Sequence, residues 1–266
     1  MRLTFLGTGT SFGVPQVGCD CAVCHSADPR DKRYRSAAVI EVKREGRPLQ
    51  LLIDTPPELR LQLVRADIAT VDAVLYTHEH ADHIHGIDDL RAITIRRRAP
   101  LSLYGDEATL RTLSQRFPYI VDAGWISQPG TSRPKGLPVV VRPGEEFEVE
   151  GVRVMPFAMP HGHTSVLGYR IGDIGYVTDA KSLPGEALSA LQGVRVLVLN
   201  ALLRKPHPSH LSISEAVDTA RRIGARQTWL THLTHDQFHT DLAAELPDGI
   251  SPAFDGLVVD VPGHST

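Results

Sequence analysis

Between Tyr76 and His83 the chain reads Tyr-Thr-His-Glu-His-Ala-Asp-His, with three histidines and an aspartate in the last six positions. In an extended chain alternate side chains share a face, so His78 and His80 can take one ion together. Where the backbone then turns into a helix, the adjacent Asp82 and His83 can address a second. Imidazole and carboxylate are good ligands for zinc, manganese or iron. Placed directly behind the apolar run Val71 to Tyr76, the cluster reads as a metal site.

A second group, Cys19-Asp20-Cys21-Ala22-Val23-Cys24, brings three thiols within reach of one tetrahedral ion. Disulfides between such near neighbours are strained, and three cysteines make a poor disulfide framework, which suggests a reducing, cytoplasmic compartment. A fourth ligand is needed. His25 is sterically awkward beside Cys24, so His235 is the better choice.

The rest of the chain must position these groups. Strands are expected at Arg2–Leu6, Ala37–Lys43, Leu49–Ile53, Val71–Tyr76 and Leu101–Tyr104. Further strands follow at Val139–Arg142, Val152–Phe157, Leu167–Ile171, Gly175–Thr178, Val194–Leu199, Gln227–Thr231 and Leu257–Val261. Helices are expected at Pro56–Ala66, Asp82–Ile95 (core positions Ile84, Ile87, Ile93 and Ile95), Glu107–Phe117 and Glu186–Leu191. Ser212–Ile223 is a further helix, capped by Ser212 with Glu215 completing a capping box. Gly7–Gly18 and Gln128–Pro138 read as loops. Strands alternating with single helices in both halves imply two sheets between helix layers. The strand ends at His78, Asp179, Asn200 and His232 then converge on one edge.

The 266 residues read as one α/β domain, 1–266, with ordinary hydrophobic (42%) and charged (22%) content. The net charge of −3 gives no chain-wide field for nucleic acid or membrane. Arg96, Arg97 and Arg98, with Arg91, read as a solvated helix end. No apolar run reaches the roughly 18 residues of a membrane helix, and the N-terminus lacks a signal-peptide core.

The His78–His83 motif resembles that of the metallo-β-lactamase superfamily, whose fold is a four-layer αβ/βα sandwich. Asp54, closing Leu49–Ile53, matches the family's early aspartate, which supports the site. His161, opening the run to Gly168-Tyr169, matches the third motif; His163 competes with it, and the spacing favours His161. Asp179 in Val177-Thr178-Asp179 matches the carboxylate that bridges the metals, and His232 in Leu230-Thr231-His232 the last ligand. The resemblance implies one ion on His78, His80, His161 and Asp179, and a second on Asp82, His83, Asp179 and His232. Two cations about 3.5–4 Å apart lower the pKa of a bridging water and clamp phosphate oxygens. They also keep Asp82 and Asp179 ionised. His85 and His239 read as helix surface or site margin, and His25, His207 and His264 as solvated.

The cysteine cluster, a late Thr-His-x-x-His segment, the loop Leu6–Ser11 and Phe254-Asp255-Gly256 are similar to one branch. That branch is the phosphodiesterase that opens phosphoribosyl cyclic phosphate in the carbon–phosphorus lyase pathway. The resemblance implies a structural zinc on Cys19, Cys21, Cys24 and His235, and manganese or zinc as the catalytic pair. His210 falls where such phosphodiesterases keep a non-ligand histidine, which stabilises the transition state or protonates the leaving oxygen. The expected function is hydrolysis of small or cyclic phosphodiesters such as phosphoribosyl 1,2-cyclic phosphate, catalysed through Asp179 and His210, with no membrane or nucleic-acid partner and a homodimer compatible with it.

A tRNA 3′-processing nuclease shares the catalytic motifs, but the long basic Gly/Pro-rich insertion of those enzymes is not seen. Thioester or lactone hydrolysis suits the same metals, and His210 argues mildly against it. A non-enzymatic binding protein resembling the pyrroloquinoline quinone biosynthesis relative is a further alternative; that relative departs from the metal motifs that are filled here.

Overall fold

The sequence folds into two seven-stranded sheets in a computed structural model that describes residues 1–262. His264 lies outside the described residues. The N-terminal part contains β1 (Arg2–Gly7), β2 (Ala37–Val42), β3 (Leu49–Ile53), α1 (Leu59–Arg65), β4 (Ala73–Leu75) and α2 (Ala81–Ile84). It continues through α3 (Arg91–Arg97), β5 (Leu101–Gly105), α4 (Glu107–Arg116), α5 (Pro118–Val121) and β6 (Gly136–Val140). The second sheet is built from β7 (Phe147–Val149), β8 (Val152–His161), β9 (Thr164–Ile171), β10 (Ile174–Val177), β11 (Val196–Asn200), β12 (Gln227–Thr231) and β13 (Ile250–Pro252). Helices α6 (Gly185–Ala190), α7 (Ile213–Ile223) and α8 (His239–Glu245) accompany it, and β14 (Val258–Asp260) returns to pair with β1.

The strand orders are β14-β1-β2-β3-β4-β5-β6 and β13-β12-β11-β10-β9-β8-β7. In each sheet three antiparallel pairs give way to three parallel ones, at β3 in the first and at β10 in the second. The parallel strands carry the expected alternation of faces. Val196 and Val198 of β11 enter the apolar layer between the sheets, while Leu197 and Leu199 meet Ala187, Ile213, Ala216 and Leu242 of the outer helices. On the first sheet Leu52, Val74 and Leu103 pack against Leu59, Ile93 and Leu113 in the same way. Helix, sheet, sheet, helix is therefore the layer order, the expected αβ/βα sandwich. Among the described residues no helix is long and apolar enough to cross a membrane.

Several elements differ from expectation. Gln128–Pro138 is not all loop, because β6 begins at Gly136; Pro138 lies on an edge strand, where a missing N–H breaks no ladder. The short edge strands β7 and β13 carry too few residues to show a period. The helix expected over Asp82–Ile95 breaks into α2, a 3-10 turn (Ile87–Leu90) and α3. The break is at Gly86, whose N–H bonds the Thr55 carbonyl at 2.8 Å. Ile84, Ile87 and Ile93 are buried as expected, whereas Ile95 is 50% exposed. The arginines that close α3 are not simply solvated: Arg97 bonds the buried carboxylate of Asp72 at 2.6 Å.

A Cβ at position 86 would lie 2.0 Å from the Pro56 carbonyl oxygen, so only glycine permits this approach. Gly86→Ala is expected to destabilise the fold by about 1–3 kcal/mol through overpacking. A lowered denaturant midpoint with unchanged m-value checks this.

Candidate metal centre

Four strands of the two sheets end at one cluster of histidine and aspartate side chains. Asp54 follows β3, His78 follows β4, Asp179 follows β10 and His232 follows β12. Asp54 (φ 61°), Asp179 (φ 56°) and His232 (φ 58°) all take the left-handed backbone region that non-glycine residues avoid. Such conformations cost on the order of 1–3 kcal/mol each, and persist only where the surroundings over-determine them.

Asp54 supplies much of that determination. Its Oδ1 accepts from the Thr77 N–H (2.8 Å), and its Oδ2 from the Thr77 hydroxyl (2.7 Å) and His83 Nδ1 (2.7 Å). With the Thr77 proton committed to Asp54, its oxygen is left to accept from His78 Nδ1 at 3.0 Å. His161 Nδ1 donates in turn to the Ser209 carbonyl at 3.1 Å. By these assignments His78, His83 and His161 each leave Nε2 bare, the form a metal ligand needs.

The bare atoms converge. Donor atoms of His78, His80 and His161 lie within 4.8 Å of one another, as do those of His78, His83 and Asp179, of Asp82, His83 and His232, and of His161, Asp179 and His210. His80 is exposed, whereas His78, His83, His161, Asp179 and His232 are buried. His78 Nε2, His83 Nε2 and both nitrogens of His232 have no hydrogen-bond partner among the described residues. His232 Nε2 does lie 3.2 Å from Asp179 Oδ2, and His83 Nε2 lies 3.5 Å from Asp179 Oδ1, but neither pair is aligned as a hydrogen bond. Each unsatisfied buried group costs about 1–3 kcal/mol. Bare imidazole nitrogens facing carboxylate oxygens around one space fit divalent cations.

The local field agrees. Burial, with His83 beside it, pushes His78 well below the ordinary imidazole value, so it stays neutral. Burial opposes ionisation of Asp179, but His232, His83 and a bond from His210 hold its pKa well below the usual range. Asp82 is lowered likewise, chiefly by His83 against burial. Burial opposes a charge on His83, but Asp179, Asp82 and Asp54 raise its pKa well above the ordinary value, so the place before its Nε2 favours positive charge, a proton or in its stead a divalent cation. The centre is rich in negative charge.

His210 stands beside this group. Its Nε2 lies 3.2 Å from Asp179 Oδ2, its Nδ1 lies 2.9 Å from the Ser209 hydroxyl, and its ring stacks on His232 at 4.9 Å. The capping box of α7 follows at once, with the Ser212 N–H donating to Glu215 at 2.8 Å. His207, expected to be solvated, instead reaches the His210 Nδ1 at 3.2 Å. His163, His25 and His85 are exposed, and His163 is not in the group.

The three thiols surround His235: its Nδ1 lies 3.2 Å from Cys19 Sγ and 3.4 Å from both Cys21 and Cys24 Sγ. The N–H groups of Gln16 and Cys24 point at the sulfurs of Cys24 and Cys21, a setting suited to thiolates. A tetrahedral cation fits this cage. Behind it, Asp31 accepts from Ser26 (2.6 Å) and from the His239 N–H (2.6 Å), and Arg33 bonds Thr8 (2.8 Å) and the Ala253 carbonyl (2.7 Å). His239 is thus not helix surface: it is buried against Arg33, because α8 turns it toward the loop.

Thr77, Ser209 and Asn200 have structural parts in the site that sequence reasoning does not give them. Only their places beside His78 and His210, or at a strand end, are visible in the sequence.

Asp54→Asn leaves an amide group opposite donors, and is expected to weaken divalent-cation binding at the histidine and aspartate cluster about 10–100-fold. Metal titration checks this, with binding at the cysteine cage expected to be unchanged. Burial and the charge of Arg33 push His239 down from 6.5 to about 4, so the unfolded chain binds this proton first. Its contribution to stability is fully present above pH 6.5 and is lost as pH falls toward about 4. Asp255, raised to about 6 by burial, titrates in the opposite sense, so His239→Gln is the reference. Between pH 7 and 4.5 wild type should lose more unfolding free energy than His239→Gln; equal losses would contradict the assignment.

Residues 50–233 match the β-lactamase superfamily domain. A crystal structure of a new diphosphatase from the PhnP family is similar at 39% identity and a TM-score of 0.88, covering 98% of both chains. An octanoyltransferase of Porphyromonas gingivalis is 39% identical over 99% of this chain, which spans only 52% of that protein. A ribonuclease Z of Mycobacterium sp. (strain KMS) is 28% identical over 68% of this chain and 73% of its own length. The chain belongs to the metallo-β-lactamase-fold hydrolase superfamily, in the branch of the PhnP-family diphosphatase.

Proposed function

We propose that the chain hydrolyses small or cyclic phosphodiesters, such as phosphoribosyl 1,2-cyclic phosphate, with a pair of manganese or zinc ions. The observation that carries this is the convergence of bare histidine nitrogens and two carboxylates beside a histidine tied to Asp179. The likeness to a diphosphatase over 98% of both chains supports a phosphoryl substrate. His78, His80, His161 and Asp179 would hold one ion, and Asp82, His83, Asp179 and His232 the other. When bound, the pair supplies positive charge for the phosphoryl oxygens and a water of lowered pKa. Cys19, Cys21, Cys24 and His235 would hold a structural zinc away from the reaction.

The chain's own residues do the rest. Asp54 orients His83 directly and His78 through Thr77. His210, as an imidazolium whose Nδ1–H donates to the Ser209 hydroxyl, gives its Nε2 proton to the departing alkoxide oxygen and is left as neutral imidazole. The reaction is read as that of a cytoplasmic protein that acts on a diffusible substrate and is compatible with a homodimer.

His210→Ala is expected to lower kcat by about 10²–10⁴, with metal content unchanged; loss of metal would contradict its role. Asp179→Ala is expected to lose both. A panel on metal-analysed protein tests the substrate class: cyclic ribose phosphates, nucleoside 2′,3′-cyclic phosphates, an aryl diester, pre-tRNA, a thioester and a lactone. Turnover of the small diesters is expected; turnover of the lactone or thioester alone, or of pre-tRNA alone, would sink the reading.

A further inference from the structure

β11 ends on Asn200, which is fully buried and in register with Thr231. Its amide closes on a single residue from both sides. Asn200 Oδ1 accepts from the Ala180 N–H at 2.9 Å, and Asn200 Nδ2 donates to the Ala180 carbonyl at 3.0 Å. That same carbonyl accepts the Leu211 N–H at 2.8 Å. Ala180 directly follows Asp179, and Leu211 directly follows His210. One planar side chain therefore fixes the residue to which the carboxylate and the histidine are both tethered.

Asp179 needs such a fixture. Its φ of 56° is unfavourable for a residue with a side chain. Its two oxygens also face different partners, Oδ1 toward His83 at 3.5 Å and Oδ2 toward His232 and His210 at 3.2 Å each. A rotation at residue 179 would spoil both at once. Asparagine suits the place because it sets an acceptor and a donor side by side. Aspartate has no donor, and leucine has neither.

We infer that Asn200 is a positioning residue for the dimetal centre: it sets Asp179 so that one carboxylate can serve both ions, and fixes its spacing to His210, without touching metal or substrate. The inference rests on the proposed reading of Asp179 as a shared ligand. Asn200→Asp keeps the shape but turns a lone pair on the Ala180 carbonyl, and Asn200→Ser removes the clasp with a small polar group.

The full chain, stripped of metal, is titrated with Co2+ alone. Visible absorption separates the thiolate-to-cobalt bands of the cysteine cage from the ligand-field bands of the histidine centre. Both variants should fold by circular dichroism, keep the thiolate bands, bind Co2+ at the histidine centre about 10–100-fold more weakly, and show altered ligand-field bands there. Wild-type affinity and bands in both variants would overturn the inference, as would unfolding of both, which makes Asn200 a residue of the fold. A wild-type protein that takes no pair of ions outside the cysteine cage removes the dimetal reading itself, a result distinct from either.

Discussion

A fully buried carboxylate must find donors or lose its charge, and Asp54 finds three in the segment that carries the candidate ligands. The backbone N–H and hydroxyl of Thr77 and the Nδ1 of His83 answer that demand. Their answer leaves little freedom elsewhere. The Thr77 hydroxyl, having given its proton to Asp54, selects the tautomer of His78, and His83 is turned so that its second nitrogen faces Asp82 and Asp179. One desolvated charge thus orients two imidazoles.

The two halves of the molecule are registered by similar bonds across the interior. The Tyr169 hydroxyl donates to the Tyr76 carbonyl at 2.6 Å, and the Leu167 N–H to the Thr77 carbonyl at 2.8 Å. These join β9 of one sheet to the segment after β4 of the other, at the residues that precede His78. The first sheet presents Asp54 and His78 to His83, the second His161, Asp179 and His232. Packing of the sheets, with Tyr169 and Tyr176 buried between them, therefore sets the spacing of the centre. A site divided in this way tolerates little slippage, because close-packed interiors have few alternative arrangements.

What the sequence makes legible is local. His78, His80, Asp82 and His83 declare themselves because strand and helix periodicities put them on one edge; Ser212 and Glu215 declare a cap because both halves of its chemistry lie within one turn. Of the parallel core, β4 and β11 show themselves as unbroken apolar runs. Gly86 does not, since the carbonyl that forbids a Cβ there belongs to Pro56, thirty residues earlier in the chain. Pro138 misleads, because a proline rules out a central strand and not an edge. His239 misleads in another way: its helix is exposed on one side, and only the fold shows that the histidine faces Arg33. Asn200 is visible as a strand end, but the residue it clasps is a matter of tertiary structure.

The segment from Thr8 to Asp28 shows why the cysteine cage belongs with the centre. It is too long for an ordinary connection and has little apolar area of its own, with Val14, Val23 and Cys24 as its small core. Ordering so many residues costs far more entropy than that core offsets. Cross-links must supply the difference, and the chain provides two kinds: the cage around His235, and the buried network of Asp31, Arg33 and Asp255. Both are anchored to the segment that carries His232, since the Leu233 N–H bonds the Thr8 carbonyl at 2.9 Å and His235 follows two residues later. The left-handed backbone at His232 is therefore held from one side by β12 and from the other by the loop. Order in the loop and order at the centre are one problem, solved at one place in the chain.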